Sequence, residues 1–457
     1  MPRATRAELG SGQLLLLVVS IGLLGAGVYF EGWQPGPVAF GLAACSYLML
    51  LAAVIGRLPA AIEGLSEKQL TTAASLVALA FLVMLALRVP SGLPPRRQIY
   101  FLMLGATALL LLLGLFRQGA SARWRIAGVI GIYLVIGAWV VFENPSPPMD
   151  VWAWHNEALN ALVAGRNPYT IDMPNLYGES RYYAASMVSG DRVMMGFQYP
   201  PLSLYLALPG HLVGDYRYSF LVWTAVAGAA MARAANGRLG TAMMAVWLFL
   251  PVTFLVTLFG WTERMVVFCL VLTVAAAAHR SRWTFVALGL LLASKQYVVL
   301  AAPLIWLLPR STGDSRWSHV QLASKAAAVA LFVTLPFIVW DARALFYDLL
   351  QVQINQPFRP DALSVLAWVA NRYGVMLPQW LGVALVVPAT FVALRYAPRT
   401  VGGFAMAVGF VFFTFFAFSK QAFVNYYVFV MGALAVAAAF ARPWQASPGP
   451  PRAIPRG

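Results

Sequence analysis

ENPSPPMDVWAWHNEALNALVAGRNPY, residues 143–169, opens the longest polar run in the chain, and GFQYPPLSLY, residues 196–205, returns it to apolar sequence. From Glu143 to Pro201 the run is roughly sixty residues, far more than a connector between apolar segments requires. Long loops carried on a rigid scaffold are where binding and catalysis concentrate. The expectation is that membrane spans hold this loop, with its acidic residue Asp150, against the outer face of a bilayer.

The rest of the chain reads as membrane. Of 457 residues, 61% are hydrophobic and 11% charged, against about 25% charge in soluble domains. Mean hydropathy is +0.73. Apolar segments recur at 14–30, 37–56, 70–88, 99–116 and 125–142. After the loop they resume at 218–235, 239–258, 263–279, 284–294, 297–309, 320–339, 379–396, 401–418 and 424–441. Most can cross a hydrocarbon core of about 30 Å. The expected fold is an all-α polytopic membrane protein with about 13–14 transmembrane helices and outer juxtamembrane helices. Segments 284–294 and 297–309 read as short, half-crossing helices that meet at Ser294-Lys295-Gln296. The N-terminus, MPRATRAELGSGQLLLLVVSIGLLGAGVYF, has a basic start but no A-x-A cleavage site, so it reads as an uncleaved first span. Cys45 and Cys269 lie in apolar segments and form neither a metal-spaced pair nor a disulfide framework.

Leu202–Leu212 is short, follows Pro200-Pro201 and contains Pro209, so it reads as lying flat in the interface. Charge tests that placement. With the N- and C-termini cytoplasmic and 143–217 outside, 19 of the 32 Lys and Arg residues fall inside and 13 outside, while 12 of the 16 acidic residues fall outside. The clusters Arg117/Arg123/Arg125, Arg233/Arg238, Arg280/Arg282, Arg310/Arg316, Arg395/Arg399 and Arg442/Arg452/Arg456 are then all cytoplasmic, as the positive-inside bias requires. A spanning Leu202–Leu212 would reverse the bias; Arg88, Arg96 and Arg97 are the exception. The net charge of +16 is therefore a topology signal, with no nucleic-acid partner implied. A second outer loop, 340–378, contains DARALFYDLLQVQINQPFRPDALS, in which Leu345, Phe346, Leu349 and Leu350 recur at helical spacing, as in an amphipathic interfacial helix.

Several residues can carry chemistry, each with a plainer reading. Asp150, ahead of the helical run Val151–Ala164, can be a helix N-cap or a general base that takes a proton from an attacking hydroxyl. Glu157, seven residues on, lies about 10 Å away along the same helix face; it reads as a solvated residue or a substrate-hydroxyl contact. His155 has no surrounding ligand cluster, and no H-x-x-x-H or D-x-D spacing supports a metal. Lys295, between two short helices, and Lys420, in FSKQAFVNYY, can snorkel or bind phosphate. Arg264 can pair with its neighbour Glu263, and Arg359, in the rigid NQPFRPDALS stretch, can clamp a phosphate. Arg166 and Tyr169 belong to a helix stop after Gly165, and Gln198 and Tyr199 to a rigid turn. Trp152, Trp154, Tyr182, Tyr183 and Tyr199 fit an aromatic belt or a sugar-stacking surface.

At these residues the chain resembles a family. An early outer loop carrying an acid, then G-x-N-P-Y at 165–169, then Y-P-P-L at 199–202 before a short helix, resembles the GT-C superfamily of membrane glycosyltransferases. K-Q-Y at 295–297 and R-P-D-A-L-S at 359–364 are most similar to the bacterial branch of polyprenyl-phosphomannose-dependent mannosyltransferases and arabinofuranosyltransferases. The resemblance covers about 125–441, which would be the catalytic domain; 1–124 would be a four-helix membrane extension and 442–457 a basic cytoplasmic tail. It implies a polyprenyl-phosphate sugar donor, no nucleotide sugar, no cofactor and no metal. The acceptor would be a glycan, glycolipid or protein outside the cell membrane, with inversion at the anomeric centre. It implies Asp150 as catalytic base. Beside the resemblance, and from their charge and position, Lys295, Arg359, Lys420 and Arg264 are the candidate donor-phosphate contacts, and Glu157, His155, Arg166, Tyr169, Gln198, Tyr199 and Gln296 the candidate substrate contacts. One departure is that the loop offers one clear acid, not an acidic pair. A lipid-linked glycan transporter or flippase, and a pyrophosphate-lipid glycan polymerase or ligase, are the alternatives.

Overall fold

The structure is a computed structural model that describes residues 8–31, 35–90, 96–116, 121–178, 182–234, 237–309 and 318–441. It is a predominantly helical, multi-pass membrane protein. Among the described residues, six helical stretches are long and apolar enough to span: Ser11–Phe30, Pro37–Ile55, Glu67–Leu87, Arg97–Leu115, Ala122–Glu143 and Ser318–Asn355. Local sequence sets their ends. Pro37 opens the second helix after an extended Gly36, and Gly56, at φ 65°, closes it. Ser66 and Gln69 form a capping box at the start of the third.

The centre of the bundle is built from shorter helices. Val401–Ala417 and Val424–Ala439 are buried almost throughout and pack on each other and on Glu263–Ala278. Gly432 allows this closeness, because a Cβ there would stand 2.5 Å from Val267 and 2.8 Å from Trp247. The N-terminal helices share this core, which runs without interruption from Leu9 to Ala441. Ser11–Glu31 packs against Val424–Ala439, Tyr47 shares a 3.0 Å hydrogen bond with Thr414, and Phe40 stacks on Trp368 at 4.7 Å. Residues 1–7 and the proposed tail 442–457 fall outside the described residues, as do Arg117, Arg310 and Arg316 of the basic clusters.

Three expected segments differ in detail. Segment 239–258 is not one helix: it breaks at Phe249–Val252 into Arg238–Leu248 and Thr253–Leu258, because Pro251 has no N–H for a continuing ladder. Segment 297–309 forms a 3₁₀ helix, Gln296–Leu307, after an extended Lys295, and 284–294 forms the α-helix Thr284–Leu292. The helix that begins at Ser318 is interrupted at Asp341 (φ −161°, ψ 94°), whose carboxylate caps a new helical start by accepting from the Ala344 N–H at 2.9 Å. Beyond that break the chain is helical as expected, with Leu345 and Leu349 buried and Phe346 and Leu350 exposed.

The long loop is folded in its own right. It contains the helix Asp150–Val163, stopped by Gly165 at φ 70°, and the helix Leu202–Leu212. Between them, and unforeseen in the sequence, lies a three-stranded antiparallel sheet of Met173–Pro174, Arg192–Val193 and Val188–Ser189, in that spatial order. Its strands are two residues each, too short for an alternating pattern to register. Arg217 closes the base of the loop. Fully buried, it donates to both carboxylate oxygens of Asp215, to the Leu258 carbonyl at 2.7 Å and to the Asn144 carbonyl at 2.7 Å. Removing one member of a buried ion pair strands the other and costs about 3–5 kcal/mol. Arg217→Ala is therefore expected to lower the melting temperature in detergent and to open residues 143–216 to limited proteolysis. An unchanged digestion pattern would show that the loop is closed by other means.

Candidate functional site

Asp150 is the first residue of its helix; the N-cap is Met149, one position earlier than expected. The Asp150 carboxylate still serves the helix start, accepting from the Val151 N–H at 2.7 Å, while its own N–H donates to the Tyr177 hydroxyl at 3.4 Å. Asp150 is half-buried, and its carboxylate interacts with the hydroxyls of Tyr177 and Tyr183. Burial raises the Asp150 pKa above the ordinary carboxylate range. Hydrogen bonds from Val151 and Tyr177, and the positive charge of Arg359, act in the opposite direction.

Arg359 comes from the loop 340–378 and lies over the Tyr182 ring at 4.5 Å and the Phe423 ring at 4.8 Å. A bidentate pair with Asp361, at 2.8 and 2.7 Å, orients its guanidinium. Two further junctions join the loops. Gln353 donates to the Gln198 side-chain oxygen at 3.1 Å, and the Gly196 N–H donates to Asp348 at 2.9 Å. Gln296 donates to the Gln198 carbonyl at 2.6 Å, which brings the Ser294–Gln296 break to the same place.

Lys295 is buried, and its ammonium is committed. It pairs with Glu263, donates to Thr262 at 2.8 Å, and stands 5.1, 5.5 and 5.6 Å from the ring centres of Tyr199, Tyr426 and Tyr297. This corrects the expected Glu263–Arg264 pairing. On a helix, adjacent residues point in different directions, so Glu263 meets Lys295 while Arg264 turns to Tyr133 at 3.0 Å and Thr257 at 2.8 Å. Arg264 is buried, and its Nε and second terminal nitrogen have no partner among the described residues. Lys420 donates to the carbonyls of Ile354 and Gln356 at 2.8 and 2.6 Å, so it caps the end of the helix Val352–Asn355.

The remaining sequence candidates divide. Tyr169 is buried and donates to the Tyr199 carbonyl at 2.7 Å. His155 is buried between the Tyr199 and Tyr216 rings at 5.1 and 5.0 Å, with Nδ1 3.0 Å from the Val151 carbonyl. Burial pushes its pKa down to about 3, helped by the charge on Lys295, so it is neutral at physiological pH. With Nδ1 facing a carbonyl, the proton sits on Nδ1 and the imidazole orients the tyrosine stack. Glu157 is half-buried on the same helix, and Arg166 is exposed past the helix stop. The residues brought together are Asp150, Arg359, Gln198, Tyr199, Lys295 and Gln296. Tyr177, Asp348, Gln353 and Asp361 complete the surroundings without having been singled out, and among them only the adjacency of Asp361 to Arg359 carried a sequence signal; in the sequence Glu263 reads as a partner for Arg264.

No protein-family model matches the chain, and no curated protein matches it. Among solved structures, a crystal structure of ArnT from Cupriavidus metallidurans bound to undecaprenyl phosphate is similar at 16% identity and a TM-score of 0.46, over 71% of this chain and 60% of that one. The chain thus spans less than two thirds of that protein's length. A likeness of that degree carries no assignment of chemistry.

The Glu263–Lys295 pair makes its own prediction. Lys295→Met leaves Glu263 buried without a counter-charge, at a cost of about 3–5 kcal/mol. The double variant with Glu263→Gln is expected to regain most of the lost stability. Melting temperatures in detergent supply the double-mutant cycle; strictly additive losses would mean that the two groups are not coupled.

Proposed function

We propose that the protein is a GT-C-type membrane glycosyltransferase that moves a sugar, of the mannose or arabinofuranose class, from a polyprenyl-phosphate donor to a glycan, glycolipid or protein acceptor on the outer face. The observation that supports this reading most directly is the Asp150 carboxylate, held at a helix start among tyrosines within the field of Arg359. The acceptor hydroxyl gives its proton to Asp150 as its oxygen bonds to the anomeric carbon. The carbon–oxygen bond to the lipid phosphate breaks, and the electron pair leaves with the phosphate. Attack opposite the leaving group inverts the centre. Charge developing on the phosphate is stabilised by fixed cations. Arg264, with two nitrogens unpartnered among the described residues, suits that role better than Lys295 and Lys420, whose ammonium groups are already engaged; Arg359 contributes its charge while its hydrogen bonds go to Asp361. Lys295 then acts as a positioning residue that holds Gln296 and Tyr199 in place. A transporter remains the second reading, because Glu263, Arg264 and Lys295 form the kind of buried charged cluster that transport pathways use.

Asp150→Asn keeps an oxygen for the Val151 N–H, so the fold is expected to persist while transfer falls about 10²–10⁴-fold. Purified protein with a polyprenyl-phosphate sugar and a glycan acceptor supplies the assay; turnover near that of the unmodified protein would overturn the assignment of Asp150. Because the base must be ionised, kcat/KM should be lost as pH falls through the raised Asp150 pKa. The acid limb therefore lies above the roughly pH 4 of an ordinary carboxylate. Arg359→Gln removes a charge that lowers this pKa, so its limb should move to still higher pH. A limb that stays in place would separate Arg359 from Asp150.

A further inference from the structure

A second cleft lies beside the proposed centre. It has a volume of about 1010 Å³ and opens between the loop segment 169–196 and the outer helix beyond Asp341. Small-molecule sites run from about 300 to 1,000 Å³, so it has room for more than one sugar ring. Asp172, Asp341, Arg343, Tyr347 and Asp348 line it, together with Tyr169.

Asp348 is the informative group. It sits in a π-helical turn, Tyr347–Gln351, a geometry that adds a residue to the helical turn and is frequent at functional sites. The side chain is 1% exposed, and one oxygen accepts from the Gly196 N–H at 2.9 Å. The other oxygen, Oδ2, has no partner among the described residues. The approach is so close that a Cβ on Gly196 would collide with Oδ2 and stand 2.6 Å from the Tyr169 carbonyl. A buried polar atom without a partner is costly and rare. A ligand that reaches Oδ2 removes that cost.

The lining selects the ligand's chemistry. Three carboxyl groups oppose an anion, and Arg343 opposes a simple cation. A neutral molecule that both donates and accepts hydrogen bonds meets both. A hydroxyl does so, and can serve Oδ2 whether the carboxyl is ionised or protonated. Tyr169 and Tyr347 add aromatic surface for the apolar face of a ring.

We infer that this cleft binds a neutral carbohydrate, one hydroxyl of which shares a hydrogen bond with Asp348 Oδ2. Resting on the glycosyltransferase reading, it is the binding site for the glycan part of the acceptor, separate from the reacting hydroxyl at Asp150. Tyr169 is the partition between the two: its residue borders the cleft, and its hydroxyl reaches the Tyr199 carbonyl on the other side.

The test is binding without turnover, so it does not depend on the transfer assay. Saturation-transfer NMR on the detergent-solubilised full chain would use maltose, lactose, sucrose and α-1,6-mannobiose as probes. At least one is expected to receive saturation from the unmodified protein and from Asp150→Asn. Asp348→Ala is expected to weaken that binding about tenfold, the size of one buried hydrogen bond. Arg343→Ala, at an exposed position with little bearing on folding, should weaken it independently. Saturation transfer to none of the four sugars, or equal transfer in the unmodified protein and in the folded Arg343→Ala and Asp348→Ala variants, would overturn the inference. Loss of transfer activity in Asp150→Asn with sugar binding intact would leave both readings standing, while sugar binding without any glycosyl transfer would remove only the proposed reaction.

Discussion

A charge inside a membrane protein needs a partner, and here Glu263 and Lys295 supply each other. The pair spans two elements that the chain keeps apart, the start of the helix Glu263–Ala278 and the extended residue before the 3₁₀ helix Gln296–Leu307. Non-helical backbone at membrane depth survives only where protein satisfies it. At the break the Ser294 N–H donates to the Leu291 carbonyl at 3.1 Å and the Lys295 carbonyl accepts from the Val298 N–H at 3.0 Å, while the Lys295 ammonium is held by Thr262, Glu263 and three tyrosine rings. Because Lys295 is fixed, the next side chain, Gln296, is delivered to the Gln198 carbonyl, and the long loop is anchored to the bundle at that point.

The two polar loops are one assembly. Each supplies half of every junction: Arg359 on Tyr182, Gln353 on Gln198, Asp348 on Gly196. None of these contacts is large alone, and an exposed ion pair contributes little. Their effect is geometric. They set Arg359 at a distance from which its charge still bears on Asp150 while its hydrogen bonds go to Asp361. A cation oriented by a carboxylate and an aromatic face is held ready, so little reorganisation is needed when charge moves nearby.

What could be read in the sequence follows the range of each physical signal. Apolar length marked the long spans and set Leu202–Leu212 apart as a shorter helix. Helical spacing of Leu345, Phe346, Leu349 and Leu350 marked helical structure after Asp341. Glycine at position 165 marked a helix end that the structure has. Signals of that kind are local, or summed over many residues. The pairing of Glu263 with Lys295 was not readable, since it depends on how two helices rotate against each other; the nearer charge, Arg264, was the natural choice from spacing alone. Pro251 was a local clue to the break in 239–258, but apolar length outweighed it. Asp348 was invisible for a different reason. It lies in an amphipathic stretch where an acid is ordinary, and only a π turn buries it. Lys295, Arg359 and Lys420 were chosen for charge at an edge, which locates a cation without saying what already holds it.

The 3₁₀ segment Gln296–Leu307 has a mechanical corollary. Its twelve residues rise about 2.0 Å each and cover ~24 Å, where an α-helix of the same length would cover ~18 Å. A tighter coil is also a longer one. Apolar residue counts therefore understate how far this segment reaches, and a reach that looks insufficient on paper is nearly that of sixteen α-helical residues. The same geometry makes the segment a strut held at extension. Relaxation to α-helix would shorten it by ~6 Å, more than the length of a lysine–carboxylate contact. The Glu263–Lys295 pair stands at the N-terminal end of this segment, so the length of the strut separates that pair, and Gln296 beside it, from Leu307.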